Sequence, residues 1–181
     1  MKVIKGEIEG LLIIEPSVFE DERGYFFESF NVNNFKKTTG LEVNFVQDNE
    51  SKSQQGVLRG LHFQKPPFAQ GKLVRVIKGS VLDVAVDLRK NSATYGKFQS
   101  IVLSEANKKQ FYIPPGFAHG FLTLENETIF SYKCTNNYEP ASEGCLLWND
   151  ENLNINWNYT NPQLSEKDKL GEDFINFVSQ F

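Results

Sequence analysis

Val81-Leu82-Asp83-Val84-Ala85-Val86-Asp87-Leu88 alternates with the two-residue rhythm of an extended chain. Leu82, Val84, Val86 and Leu88 line one face of such a strand, and Asp83 and Asp87 lie on the other. The same rhythm recurs on both sides of this run. Leu73 to Ile77, Phe98 to Leu103, Gln110 to Ile113, Gly120 to Leu124 and Thr128 to Thr135 all read as short strands. Lys78-Gly79-Ser80, Asn91 to Gly96 and Glu125-Asn126-Glu127 separate them as turns. Pro114-Pro115-Gly116 is a sharp turn, because proline presets φ and glycine accepts a positive one. Short strands at this density predict an all-β, antiparallel jelly roll, a barrel or sandwich with few helices.

Helix signals are sparse. Val32 to Lys37 reads as a short helix, and Ser165 to Gln180 as a C-terminal one. In the latter, Phe174, Phe177 and Val178 fall at helical spacing, and Ser165 with Asp168 forms a capping-box pattern. Gly171 interrupts it and weakens its continuity. No linker, repeat or low-complexity block divides the chain, so residues 1–181 are expected to form a single domain.

The 181 residues are 40% hydrophobic and include 16 Phe, enough for a large, rigid core. A net charge of −4 argues against a broad nucleic-acid or acidic-membrane surface. Leu11-Leu12-Ile13-Ile14 is too short for a signal segment or a membrane span, so the cytoplasm is the expected compartment. Cys134 and Cys145 form no CxxC pair and are expected to be reduced thiols.

The chain has two histidines, both on apolar, glycine-flanked runs. His62 lies in Gly56-Val57-Leu58-Arg59-Gly60-Leu61-His62-Phe63-Gln64, and His119 in Ile113-Pro114-Pro115-Gly116-Phe117-Ala118-His119-Gly120-Phe121. A buried imidazole needs a partner, and it is the side chain best suited to moving protons near neutral pH. The ordinary alternative is a core histidine bonded to a carbonyl. Alternation places Leu58, Gly60, His62 and Gln64 on one face and Arg59 on the other. For Arg59 to share a site with His62 the strand must twist or bulge, and Gly60 is the residue that permits it.

Metal binding is disfavoured. The cupin metal pattern uses His-x-His, a following Glu, and a later His after a Pro-x-Gly turn. Here Gln64 replaces the second His and no Glu follows at three or four positions, although Pro114-x-Gly116-x-x-His119 keeps the later half. The chain reads as a cupin-like barrel without a metal, and no cofactor is expected.

Other candidates carry two readings each. Tyr132, sharing a strand face with Phe130 and Cys134, is a core tyrosine or a proton donor. Lys72, in step with Val74 and Val76, is a solvated lysine or an inward cation able to stabilise an enolate. Asp168 is a helix-capping residue or the partner that orients His62. Arg23, Glu28, Gln47, Asn49 and Arg59 are surface polar groups or a set suited to a diphosphate and a sugar. Tyr138 offers a flat face to a base or lies on a turn.

Together these residues resemble the dTDP-4-dehydrorhamnose 3,5-epimerase family. The resemblance runs through Arg23-Gly24-Tyr25-Phe26-Phe27-Glu28, Gln47-Asp48-Asn49, Leu58 to Gln64, and Gln70-Gly71-Lys72-Leu73-Val74-Arg75. It continues through Asp83 to Arg89, Ile113 to Phe121, Tyr132-Lys133, Ser142-Glu143-Gly144, Leu147-Trp148-Asn149-Asp150 and Leu164-Ser165-Glu166-Lys167-Asp168. It implies a jelly-roll homodimer that inverts C3 and C5 of a dTDP-linked 4-keto-6-deoxy sugar on the way to L-rhamnose. His62 then matches the base, Asp168 its partner, Tyr132 the proton donor, and Lys72 the group near the C4 oxygen. Arg23, Phe26, Glu28, Gln47, Asp48, Asn49, Arg59, Lys72, His119, Glu143 and Lys167 match substrate-binding positions, and Tyr138 the aromatic that stacks on thymine. The family's dimer exchanges N-terminal strands, which would send Arg23 and Glu28 to the neighbouring site. A C3-only epimerase or a 3,4-ketoisomerase on another nucleotide-linked keto-sugar is the alternative.

Overall fold

The computed structural model describes residues 1–181 and builds them mainly from strands. In chain order these are β1 (Lys2–Lys5), β2 (Leu12–Glu15), β3 (Val18–Asp21), β4 (Gly24–Phe27), β5 (Gln47–Ser53), β6 (Leu58–Gln64) and β7 (Lys72–Lys78). There follow β8 (Ser80–Asp87), β9 (Phe98–Ser104), β10 (Gln110–Ile113), β11 (Phe117–Thr123), β12 (Thr128–Cys134) and β13 (Glu143–Cys145). One sheet has the order β1-β2-β10-β7-β12-β5 and the other β13-β6-β11-β8-β9, while β3 and β4 form a separate hairpin. The neighbouring strands pair antiparallel, as the alternation and turn chemistry predict. No helix is long and apolar enough to cross a membrane.

Three apolar layers hold the sheets. Between them lie Val74, Val76, Val81, Ala85, Phe111 and Phe130. The Phe121 and Phe130 rings stack there with centroids 4.1 Å apart. Phe111 and Phe130 are fully buried, each worth about 1.5–3 kcal/mol of apolar burial. Behind the second sheet, Leu58, Leu61, Val84, Val86, Trp157 and Phe177 form a second layer. Behind the first sheet, Ile14, Phe35, Leu73 and Tyr112 form a third.

Strand β8 shows what this layering does to an alternating sequence. Its even-numbered apolar residues face outward, into the layer built by the C-terminal segment. Val81 and Ala85 face the space between the sheets, and Asp83 and Asp87 share their parity. Both aspartates are completely buried. The polar face of this strand is therefore enclosed and not solvated.

The first expected helix is α1 (Val32–Thr39), two residues longer than the pattern indicated. The Asn31 side chain accepts from the amides of Asn33 and Asn34, and Gly40 ends the helix at φ 75°. Phe35 is its one buried residue.

The expected C-terminal helix over Ser165 to Gln180 is corrected to a single turn, α2 (Glu166–Lys169). The sheet competes for its backbone. The Glu172 amide donates to Cys145 O at 2.9 Å, and the Leu147 amide donates to Glu172 O at 3.0 Å. A Cβ at Gly171 would lie 2.6 Å from the Leu146 carbonyl carbon, so only glycine allows this approach. Phe177 is buried from an irregular segment, whereas Val178 is 81% exposed. The aromatic spacing served packing without a helix.

Candidate active site

The site begins with a bulge in β6. His119 of β11 pairs with His62, but Phe121, two residues on, pairs with Arg59, three residues back. One extra residue on β6 therefore opposes β11. Gly60 absorbs it at φ 130°, and its Cα packs against the β11 backbone at Gly120. The shift lets Arg59 and His62 line the same cavity. It also overturns simple alternation upstream, because Leu58 packs into the outer layer and not on the His62 face.

His62 Nε2 donates to Asp168 Oδ1 at 2.5 Å. Asp168 comes from α2, which packs beside β6, and is 3% exposed. Burial pushes its carboxyl up, but hydrogen bonds from His62, Ser165 and the Gly60 amide outweigh that and leave it below the ordinary range. The helix cap and the bond to His62 are both present. Ser165 Oγ accepts from the Asp168 amide at 3.2 Å while the Asp168 side chain serves His62.

A second pair lies alongside. His119 Nε2 donates to Asp83 Oδ2 at 2.9 Å, with both residues buried. Burial pushes the His119 imidazole down, and Asp83 opposes this. Asp83 is a site residue that sequence reasoning missed. Its signal was a carboxylate in the middle of an otherwise apolar strand.

The opposing sheet supplies Lys72 from β7 and Tyr132 from β12. Lys72 Nζ lies 5.8 Å from the centre of the Tyr132 ring. Burial pushes the Lys72 ammonium down, while Asp83 and Glu143 hold it up. Burial pushes the Tyr132 phenol up, so it carries its proton at neutral pH.

A cavity of about 150 Å³ is lined by Ser51, Arg59, His62, Lys72, His119, Phe121 and Tyr132. A second of about 200 Å³, bordered by Gln47, Asn49, Gln64, Gln70, Tyr138 and Glu143, shares His62, Lys72 and Tyr132 with it. Gln64, where a metal-binding cupin would place histidine, instead ties the rim together. Its amide nitrogen donates to Phe68 O at 2.7 Å, and its oxygen accepts from the Glu139 amide at 2.7 Å. Gln47 accepts from the Tyr138 amide at 2.9 Å, and Tyr138 Oη donates to Glu143 at 2.6 Å. Lys167 pairs with Glu143. Burial raises the Glu143 carboxyl, but Lys167 and Tyr138 bring it below its ordinary value.

Arg23, Phe26, Glu28 and Asp48 line neither of these cavities, and Lys167 reaches them only through Glu143. Gln47 and Asn49 line the larger of the two, so alternation along β5 turns Asp48 outward, where Lys133 donates to it at 2.9 Å. Arg23 sits on the exposed β3–β4 hairpin and forks onto Asp21. Phe26 and Glu28 line a separate groove beside α1. Glu28 accepts there from Asn34 Nδ2 at 2.7 Å.

His62, Cys145 and Asp168 bring one ligand-type atom each within 4.8 Å of one another. Their chemistry suits a proton relay better than an ion. His62 and Asp168 already bond each other, and burial pushes the Cys145 thiol up to about 12, so it stays a neutral, weak ligand.

The family model described as dTDP-4-dehydrorhamnose 3,5-epimerase matches residues 5–175. The Shigella flexneri dTDP-4-dehydrorhamnose 3,5-epimerase is 55% identical over 175 residues, covering 97% of each chain. The crystal structure of the Elizabethkingia anophelis dTDP-4-dehydrorhamnose 3,5-epimerase superimposes with a TM-score of 0.92, at 53% identity over 97% of both chains. That of the Legionella pneumophila dTDP-6-deoxy-D-glucose-3,5-epimerase, in complex with dTDP-4-keto-L-rhamnose, gives a TM-score of 0.94 at 46% identity. It covers 98% of this chain and 94% of its own. The jelly-roll barrel, the two histidine–aspartate pairs and these matches together show that the chain belongs to the dTDP-4-dehydrorhamnose 3,5-epimerase family.

Proposed function

We propose that this cavity epimerises C3 and C5 of dTDP-4-dehydro-6-deoxy-D-glucose, yielding dTDP-4-dehydro-L-rhamnose, by general acid–base catalysis through enolates. The observation that carries the reading is the opposition of His62 and Tyr132. They stand on facing sheets and line one cavity. Inversion requires a proton to leave one face of a carbon and another to arrive at the opposite face.

The C3 and C5 protons both flank the C4 ketone. Nε2 of His62 is engaged with Asp168, so the Nδ1 lone pair is the basic one. It takes the proton, and the C–H electron pair moves into the enolate. Lys72 stabilises the developing charge on O4, and the Tyr132 hydroxyl returns a proton from the other side. The resulting imidazolium and phenolate reset by exchange with water. General acid–base groups of this kind contribute about 10²–10⁴-fold, and a buried cation at the enolate adds electrostatic stabilisation.

Gln47, Asn49, Arg59, His119, Glu143 and Lys167 would hold the nucleotide and sugar, with Tyr138 at the rim against the base. This remote binding fixes the ring for both abstractions. Arg23, Phe26 and Glu28 would complete the site of a second copy in a homodimer. The hairpin carrying them exposes Phe19, Tyr25 and Phe26 by 66%, 55% and 70%, an apolar surface that a partner would cover. The enzyme would act in the cytoplasm.

The test is product analysis by NMR in deuterated water. Deuterium at both C3 and C5 is the expected result. Deuterium at C3 alone would make the protein a C3-only epimerase, and no incorporation would overturn the acid–base reading.

A further inference from the structure

Asp168 is held at both oxygens. Its Oδ1 accepts from His62 at 2.5 Å, and its Oδ2 accepts from the Ser165 hydroxyl at 2.8 Å. The same Ser165 oxygen accepts from the Asp168 amide at 3.2 Å. A carboxylate fixed at one oxygen can still turn, because its terminal torsion is broad. Engaging both oxygens sets the plane and aims Oδ1 at the imidazole.

We propose that Ser165 is a positioning residue for the proton-accepting pair: its hydroxyl orients Asp168 and, through it, the His62 ring. This rests on the reading of His62 as the base. The Gly60 amide also bonds this carboxylate, but no other hydroxyl, amide side chain or thiol donates to Oδ2. The nearby Cys145 thiol is directed to Leu146 O at 3.5 Å.

Ser165 uses one oxygen in two senses, and this makes its roles separable. Capping α2 needs only that the Asp168 amide find an acceptor, which water supplies where glycine stands. Positioning requires a donor to Oδ2. Glycine is nearly as good a cap as serine but has no hydroxyl, and aspartate caps equally well but donates nothing at neutral pH. Threonine keeps both functions.

The experiment compares steady-state kinetics and urea midpoints of full-length S165G, S165D, S165T and H62A with the parent. S165G and S165D are expected to keep midpoints close to the parent. Their kcat should fall on the order of 10- to 100-fold, as when groups that orient site ligands are lost. KM should change little, because the missing interaction acts on the reacting geometry and not on binding. S165T should recover most of the parent kcat. Parent-like kcat in S165G, with H62A inactive, would overturn the positioning role and leave the base in place. An active H62A would instead overturn the base reading itself. Should S165D lose stability, S165G alone decides, since it adds no charge.

Discussion

The Cα atoms of Gly60 and Gly120 approach so closely that a methyl group on Gly60 would sit 2.5 Å from the Gly120 Cα. This contact makes the β6 bulge possible, and the bulge turns Arg59 and His62 to one side. Gly60→Ala meets two penalties. Its φ of 130° is one that side chains avoid, costing about 1–3 kcal/mol, and the strands must separate to admit the methyl group. The expected result is a lowered urea midpoint and a kcat reduced by about 10²-fold, since a shift of 1 Å at a reacting group has that effect. A variant matching the parent in both would show that the bulge does not position His62.

His62 and Tyr132 should separate the two proton transfers. His62→Asn is expected to abolish turnover and the exchange of C3 and C5 protons with deuterated water, because no other unpaired base lines the cavity. Tyr132→Phe should slow product formation by about 10²-fold or more while exchange continues, since abstraction precedes return. Exchange lost equally in both variants would place Tyr132 in the abstraction step.

Asp87 anchors the far end of β8 and gives a pH-dependent stability. Its carboxylate accepts from Arg89 Nε at 2.8 Å, Arg89 Nη2 at 2.7 Å, Ser92 at 2.7 Å and Thr94 at 2.7 Å. Burial raises its pKa, but these bonds outweigh it and bring the value down to about 2. An unfolded aspartate titrates near 3.9, so the ionised form stabilises the fold by about 2 kcal/mol. That contribution is complete above the unfolded value and disappears as pH falls through the folded one. The urea midpoint should therefore drop between about pH 5 and pH 2 more steeply in the parent than in Asp87→Asn. Parallel profiles would show that Asp87 is not the group responsible.

The alternation of Val81 to Leu88 and the turn residues already specify an antiparallel barrel, and the apolar settings of both histidines point to imidazoles that need partners within it. These are local signals, since period-two side-chain direction needs only the chain itself. Gly60 as the point where β6 must depart from alternation is legible for the same reason. The tertiary structure decided what each residue meets. Asp83 looks like a strand's solvated face until the facing sheet encloses it beside His119. Ser165 to Gln180 has helical spacing, yet the free edge beside Cys145 and Leu147 takes its backbone after one turn. Arg23 and Glu28 are expected at the site of a neighbouring copy, and the chain folds them and Phe26 away from its own cavity. Periodicity records where a side chain points along its own strand. Which partner waits there depends on contacts between segments far apart in sequence, as with His62 and Asp168, 106 positions apart.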